Sequence, residues 1–179
     1  MGRGTSKASK SGTGKIEAKT YALFHGSPNA DIDQFDISKA GTNTSTGEKF
    51  LFFTDSKEAA DDFSYERVDI GSTFFEGKGK KGKVYEVDVT MNNPLDFTNL
   101  SPKDVQNIKE MSRNYDFGEL SDRNIKLYSE NNNQLFKASL DINKIADYGY
   151  DGFIARMNSK GDKEYAVIDA KQVKIKKRK

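Results

Sequence analysis

The sequence contains no cysteine and a single histidine, His25, among its 179 residues. The absence of cysteine excludes disulfide bonds, thiolate metal sites and a cysteine nucleophile. One histidine also excludes zinc sites built from several His and Cys ligands, and any Ser-His-Asp triad that uses a histidine other than His25. Catalytic chemistry in this protein must therefore use His25 or carboxylates, and no metal is expected.

Long apolar runs are missing as well. No stretch approaches the roughly 18 consecutive apolar residues of a membrane span, and the polar, lysine-containing N-terminus lacks the apolar core of a signal peptide. We therefore expect a soluble, cytoplasmic protein with no membrane partner. A length of 179 residues is enough for one domain with a buried core and tails.

Charge is unevenly distributed along the chain, although the formal net charge is only +2. Residues 1–19 carry five Lys or Arg and one Glu, residues 170–179 carry six Lys or Arg and no acid, and the segment between them carries 18 basic and 26 acidic side chains. Basic ends can contact nucleic acid or anionic lipid, but their ordinary role is that of solvated tails. Residues 1–18, rich in Gly, Ser and Lys, are predicted to be a disordered basic leader.

The remaining residues, 19–176, are predicted to form a single α+β domain, because strand patterns cluster at both ends with helical patterns between them. Apolar and aromatic runs predict strands at 20–24, 50–53, 84–89 and 164–175. The first strand is expected to end in a loop at 25–29.

Helical segments are predicted from caps and periodicity. Residues 55–58 have the form of a capping box, which predicts a helix over about 56–65 with Phe63 toward the core. Residues 66–82 are predicted to be a polar, glycine-rich connection, and residues 102–147 to be mainly helical.

Two segments only superficially resemble ligand sites. Residues 77–84, GKGKKGKV, have phosphate-loop glycine spacings, but a strand follows where a helix N-terminus is needed. We predict a flexible basic hairpin tip there. The acidic triplet Asp31, Asp33 and Asp36 lacks the glycine turn and closing glutamate of a calcium loop, and is predicted to be a solvated acidic loop.

Three segments carry a chemical hypothesis: LFHGS at 23–27, GEKFLFFTD at 47–55 with the helix that follows, and EYAVID at 164–169. In this order and spacing they resemble the ADP-ribosyltransferase fold, in the His-Tyr-Glu branch shared by diphtheria-like toxins and poly(ADP-ribose) polymerases. The resemblance implies an α+β fold of two small packed, mainly antiparallel sheets with flanking helices. It further suggests a transferase of the kind found in phage or bacterial polyvalent proteins. Residues 95–148 offer no family motif.

The resemblance also implies roles for individual residues. His25 and Glu164 correspond to the family's catalytic positions. The family's NAD-binding positions correspond to His25, Gly26, Ser27, Phe52, Phe53 and Phe63. Phe52 stands where the family has a tyrosine. Stacking on nicotinamide needs only a flat aromatic ring, whereas a hydrogen bond from the tyrosine hydroxyl is lost.

Residue chemistry supports this assignment independently, because a carboxylate such as Glu164 can stabilise the oxocarbenium-like transition state of glycosidic cleavage. We therefore expect a mono-ADP-ribosyltransferase, a phage or bacterial effector that uses NAD and modifies a protein. Asp162 either attracts a cationic acceptor group or is a plain turn aspartate. One alternative is a degenerate module of the same fold that binds NAD, ADP-ribose or a partner; another is a nucleic-acid-binding module that uses the basic ends.

Overall fold

The computed structural model describes residues 17–40, 49–72, 75–113, 120–131 and 140–176. The predicted leader lies outside these residues up to position 16, as does the start of the second motif at 47 and 48. Within the described part, none of the helices has the length and apolar composition that crossing a bilayer requires.

Nine strands and three α-helices make up the described elements, together with short 3₁₀ helices at Ile37–Lys39, Ile142–Tyr148 and Ala170–Gln172. The strands are β1 (Lys19–Ser27), β2 (Leu51–Thr54), β3 (Tyr65–Ser72), β4 (Phe75–Lys81), β5 (Lys83–Met91), β6 (Leu95–Asp96), β7 (Gly152–Arg156), β8 (Lys163–Val167) and β9 (Val173–Ile175). The helices are α1 (Lys57–Asp62), α2 (Pro102–Arg113) and α3 (Asp122–Asn131).

The strands form a seven-stranded sheet in the order β6-β7-β8-β2-β1-β5-β9 and a two-stranded sheet of β3 and β4. Among the paired strands described, only β6 and β7 run parallel. The α+β class and the mainly antiparallel pairing predicted from the sequence are confirmed. The two sheets differ strongly in size because the strands from both ends of the chain join one sheet.

Each face of the large sheet carries its own hydrophobic core. Leu23, Val87 and Tyr165 pack on one face, which we call the Val87 face. Phe153 and Phe50 pack on the other, the Phe153 face, together with residues from α2 and α3. Because successive residues of a strand point to opposite faces, one strand supplies both cores. Helix α2 lies in the segment predicted to be helical, and it buries Ile108 and Met111 in this core, with Val105 packed against the same cluster.

Three sequence predictions about the first half of the chain are wrong. The first strand does not end before a loop at 25, since β1 continues to Ser27 and pairs with β5 over its whole length. Residues 66–82 are not a connection, because β3 and β4 pair with each other there. The basic segment at 77–81 accordingly lies in β4 and is not a hairpin tip.

The β3–β4 pair contains many charged side chains, so apolar alternation does not predict it. Lys78 donates to Asp62 at 2.7 Å, and Lys81 lies 2.7 Å from a carboxylate oxygen of Asp61. Both ammonium groups also lie over the ring of Tyr65, at 4.7 and 5.1 Å from its centroid. Ion pairs therefore join β4 to α1, and cation–π contacts join it to Tyr65 of β3.

Candidate active site

The two strands that carry the first two motifs barely pair with each other. β1 and β2 are neighbours in the sheet, but they share only the residue pair Phe24 and Thr54. On the other side, β1 pairs with β5 along all nine of its residues. A side chain joins β1 to β2 beyond that single pair, since His25 Nδ1 lies 2.7 Å from the carbonyl oxygen of Phe52.

Burial and a hydrogen bond to Phe52 determine the charge and the tautomer of the His25 imidazole. Burial lowers the pKa of His25 below its ordinary value, while the hydrogen bond to the Phe52 carbonyl acts in the opposite direction. The imidazole is therefore neutral at pH 7. Because a carbonyl oxygen only accepts, Nδ1 must hold the proton and donate it. Nε2 is left with a lone pair and can accept a hydrogen bond.

Gly26, next to His25, lies directly against helix α1. A Cβ atom at this position would overlap the carbonyl oxygen of Ala60 and lie 2.9 Å from the backbone nitrogen of Ser64. Only glycine allows this approach. It brings the end of α1 over Gly26, and with it Phe63, which caps that helix.

The prediction that Phe63 points into the core is wrong. The helix begins after the N-cap Ser56, whose hydroxyl accepts the Ala59 N–H, and it ends at Asp62. Phe63 therefore falls at the C-cap position and is 49% exposed. Such exposure of a large aromatic side chain next to Gly26 suits a ring that stacks on a ligand.

Glu164 lies at the start of β8, as the direct cross-strand partner of Thr54. Thr54 is also the partner of Phe24, so the three residues form one row across the sheet. With strands about 4.8 Å apart, the Cα atoms of Phe24 and Glu164 are separated by about 10 Å. Because direct partners share a face, Glu164 emerges on the same face as Phe24 and Thr54.

Strand alternation divides the predicted site residues between the two faces. Gly26, Phe52 and Glu164 belong to the Phe153 face, where Phe52 is partly buried and its ring centroid is 6.2 Å from that of Phe153. His25 lies on the Val87 face with Phe53, their ring centroids being 5.5 Å apart. The candidate site therefore has residues on both faces of the sheet, at the position where β1 and β2 stop pairing. The sequence does not show this geometry.

Ser27, Phe53 and Asp162 have mainly structural contacts. The hydroxyl of Ser27 accepts the Asn29 N–H at 3.1 Å, and Phe53 is a buried core residue. Asp162 lies in the turn between β7 and β8, where its carboxylate accepts from the Asn158 amide at 2.8 Å and its own N–H donates to the Asn158 side chain at 3.2 Å. These bonds fix the turn that leads into Glu164.

Sequence reasoning missed the contribution of Asp55. Its carboxylate accepts the backbone N–H of Lys163 at 2.8 Å, and its own N–H donates to the Lys163 carbonyl at 3.4 Å. Asp55 thus clamps the residue immediately before Glu164. The only signal in the sequence is its place at the end of the second motif, because the motif does not show what the side chain contacts.

Groups of three or more His, Asp or Glu side chains that could hold a metal ion are not found in the part of the chain that the structure describes. The candidate site is thus built from an imidazole, a carboxylate, aromatic rings and backbone groups. Together these can bind a flat heterocycle and hydroxyl groups, and can stabilise positive charge next to the carboxylate.

A family model described as "ADP-Ribosyltransferase in polyvalent proteins" matches residues 17–178. No curated protein and no solved structure matches the chain. The family match spans all three motifs, including His25, Phe52, Phe63 and Glu164.

Proposed function

The chain belongs to the ADP-ribosyltransferase family found in polyvalent proteins, and from this premise we propose that it is a mono-ADP-ribosyltransferase acting on protein. It uses NAD as co-substrate, transfers the ADP-ribose portion to an acceptor and releases nicotinamide. The observation that carries the proposal is the row of Phe24, Thr54 and Glu164, which sets the carboxylate two strands from the His25-Gly26 pair.

Gly26, Phe52 and Phe63 form the nicotinamide end of the proposed site. Gly26 lets the end of α1 approach the sheet, and the C-cap residue of that helix, Phe63, supplies an exposed ring. Phe52 lies on the same face as Glu164 and provides the second ring. The backbone of Gly26 binds the carboxamide, and the two rings pack around the heterocycle.

His25 binds the other end of the dinucleotide. Its Nδ1 proton is engaged by the Phe52 carbonyl. Nε2 therefore accepts a hydrogen bond from a hydroxyl of the adenosine-side ribose. A neutral imidazole suits this task, since a hydroxyl donates to it without the cost of burying a charge.

Glu164 supplies the electrostatic part of the chemistry. When the bond between ribose C1′ and the nicotinamide nitrogen breaks, the electron pair stays with nicotinamide and positive charge develops on the ribose. The Glu164 carboxylate accepts a hydrogen bond from a hydroxyl of that ribose and stabilises the developing charge. A nucleophilic atom of the acceptor then bonds to C1′ and releases its proton to water.

The β7–β8 turn faces the acceptor in this proposal. Asp162 lies two residues before Glu164, and its carboxylate can attract a cationic acceptor side chain while Asn158 holds it in place. We propose single transfer because no feature of the described residues marks a site for a growing polymer. The proposal includes a cytoplasmic site of action for an effector of phage or bacterial origin.

A catalytically degenerate, NAD-binding module is the second candidate. The observation that favours it is Phe52, which lacks the hydroxyl of the tyrosine at the corresponding family position. Such a module binds NAD or ADP-ribose through the same rings and His25 but releases no nicotinamide.

Labelled NAD and a bacterial lysate distinguish the two candidates. The protein is compared with Glu164→Gln and with Glu66→Gln, an exposed residue on β3 in a different sheet from β8. We expect label on lysate protein and free nicotinamide, both reduced at least about 100-fold in Glu164→Gln and unchanged in Glu66→Gln. NAD binding, measured by calorimetry, is retained in both variants.

Other results would change the conclusion. Binding without nicotinamide release in the unaltered protein favours the degenerate module. A protein that neither binds NAD nor releases nicotinamide contradicts both candidates. Equal activity in Glu164→Gln and the unaltered protein removes Glu164 from the catalytic role.

A further inference from the structure

We propose that Tyr85 is a positioning residue for His25, acting through the loop segment 28–35 that its hydroxyl holds against the imidazole. The inference rests on the proposed function, since it concerns how the ribose-binding histidine is kept in place. Tyr85 belongs to none of the three motifs, and its strand β5 was predicted only as an apolar element.

The Tyr85 hydroxyl holds this segment through two hydrogen bonds. It donates to the carbonyl oxygen of Asn29 at 2.9 Å and accepts the N–H of Ile32 at 2.9 Å. The Tyr85 residue is only 3% exposed, and both of its hydrogen bonds are partly buried. Tyr85 is also the direct partner of His25 across β1 and β5, which sets the two side chains side by side on one face.

Phe35 connects the held segment to the imidazole. Its ring meets His25 edge-on, with centroids 4.9 Å apart and planes at 84°. The same ring packs 6.3 Å from Tyr85 and 5.3 Å from Phe53, and the side chain is buried. The loop segment therefore supplies one wall of the space that encloses His25.

Three aromatic rings and one hydrogen bond position the ring of His25. Phe35, Phe53 and Tyr85 surround the imidazole, and the Phe52 carbonyl accepts from Nδ1. Nε2 is then the nitrogen available to a ligand. Loss of the Tyr85 hydroxyl leaves its ring in place but removes both bonds to the loop, so Phe35 and the imidazole gain freedom.

Tyr85→Phe tests the inference, with Tyr150→Phe as the matched control. Tyr150 is also a buried tyrosine with two hydrogen bonds, to Asp104 at 2.6 Å and from Asn107 at 2.8 Å, but it lies in the Phe153-face core beside α2. We expect Tyr85→Phe to raise the KM for NAD about fivefold with kcat changed less than about twofold. Tyr150→Phe is expected to leave both within about twofold.

Nuclear magnetic resonance gives a readout that is independent of activity. Because the chain has one histidine, its imidazole ¹⁵N signals need no assignment. We expect the unaltered protein and Tyr150→Phe to show the tautomer with Nδ1 protonated. Tyr85→Phe is expected to show averaging of the two nitrogen shifts, as the imidazole exchanges between orientations and tautomers.

The outcomes separate the inference from the proposed function. Imidazole signals and a KM in Tyr85→Phe equal to those of the unaltered protein overturn the inference. If the unaltered protein does not use NAD, the proposed function fails while the ¹⁵N comparison still decides whether Tyr85 positions His25. If Tyr85→Phe does not fold, Phe35→Leu removes the same wall with little change of volume, and unaltered imidazole signals in that variant overturn the inference.

Discussion

The Asp55 carboxylate accepts the backbone N–H of Lys163 at 2.8 Å, so the end of β2 is tied to the residue immediately before Glu164. The pairing of Thr54 with Glu164 stands next to this bond in the ladder between β2 and β8. The position of the proposed catalytic carboxylate is therefore fixed from two sides, by a ladder pair and by a side chain.

Replacement of Asp55 tests whether this bond positions Glu164. We expect Asp55→Ala to lower kcat for nicotinamide release by about three- to tenfold, because the charge-assisted hydrogen bond to Lys163 is lost. Asp55→Asn keeps an acceptor oxygen and should recover most of the rate. Steady-state kinetics with NAD measure both, and Asp33→Ala, an exposed loop acid, serves as control. An unchanged kcat in Asp55→Ala contradicts the positioning role.

Gly26→Ala tests the contact between β1 and α1. The added Cβ overlaps the carbonyl of Ala60, so α1 must move away from the sheet. Overpacking of this kind costs about 1–3 kcal/mol, which lowers the melting temperature by about 3–10 °C. Gly149→Asn is the control, since Gly149 has φ +83° with open space around it, a conformation that asparagine tolerates. Equal melting temperatures for Gly26→Ala and the unaltered protein would disprove the close approach.

Phe63→Ala separates ligand binding from stability. Because the side chain is 49% exposed, its removal should change the free energy of unfolding by only about 0.5 kcal/mol. NAD affinity is expected to fall about five- to tenfold through lost stacking. Phe153→Ala, in the fully buried core, should cost about 3–5 kcal/mol in stability. Calorimetric titration and chemical denaturation measure the two effects, and unchanged NAD affinity in Phe63→Ala would refute the stacking role.

His25 makes stability depend on pH near neutrality. Its pKa is lowered by burial in the folded state, so between that value and the ordinary value of about 6.5 the unfolded chain binds more protons. The free energy of unfolding therefore falls as the pH drops through about 6.5, and stops falling from this cause once folded His25 is protonated. Denaturation of the unaltered protein and of His25→Gln, between about pH 5 and 7.5, gives the difference in slope. Parallel pH profiles of the free energy of unfolding for the two proteins would refute this contribution of His25.

Sequence patterns identified most of the large sheet because its strands are apolar or aromatic on at least one face. The runs at 50–53 and 84–89 lie in or next to β2 and β5. The β3–β4 pair was missed for the opposite reason, since lysines, acids and glycines dominate its sequence. Local patterns also misplaced the end of β1, because its pairing with β5 is a long-range interaction.

The candidate site was predictable as a set of residue types but not as an arrangement. His25, Gly26, Phe52 and Glu164 stand in recognisable motifs, whereas Asp55 and Tyr85 act through contacts with residues far away in the chain. Asp55 meets Lys163 across 108 positions, and Tyr85 meets Ile32 across 53. The apolar periodicity and the motif spacing of a sequence do not reveal such contacts.

The sequence by itself determined the absence of cysteine chemistry, the α+β class and the three motifs of an ADP-ribosyltransferase, because composition and local patterns carry that information. Tertiary structure alone decided that His25 and Glu164 emerge on opposite faces of one sheet where β1 and β2 part, and that Gly26 lies under Ala60. The physical reason is that strand order and register arise from the packing of both cores together. A one-residue slip of β1 would move His25 to the other face, and the same slip of β8 would move Glu164.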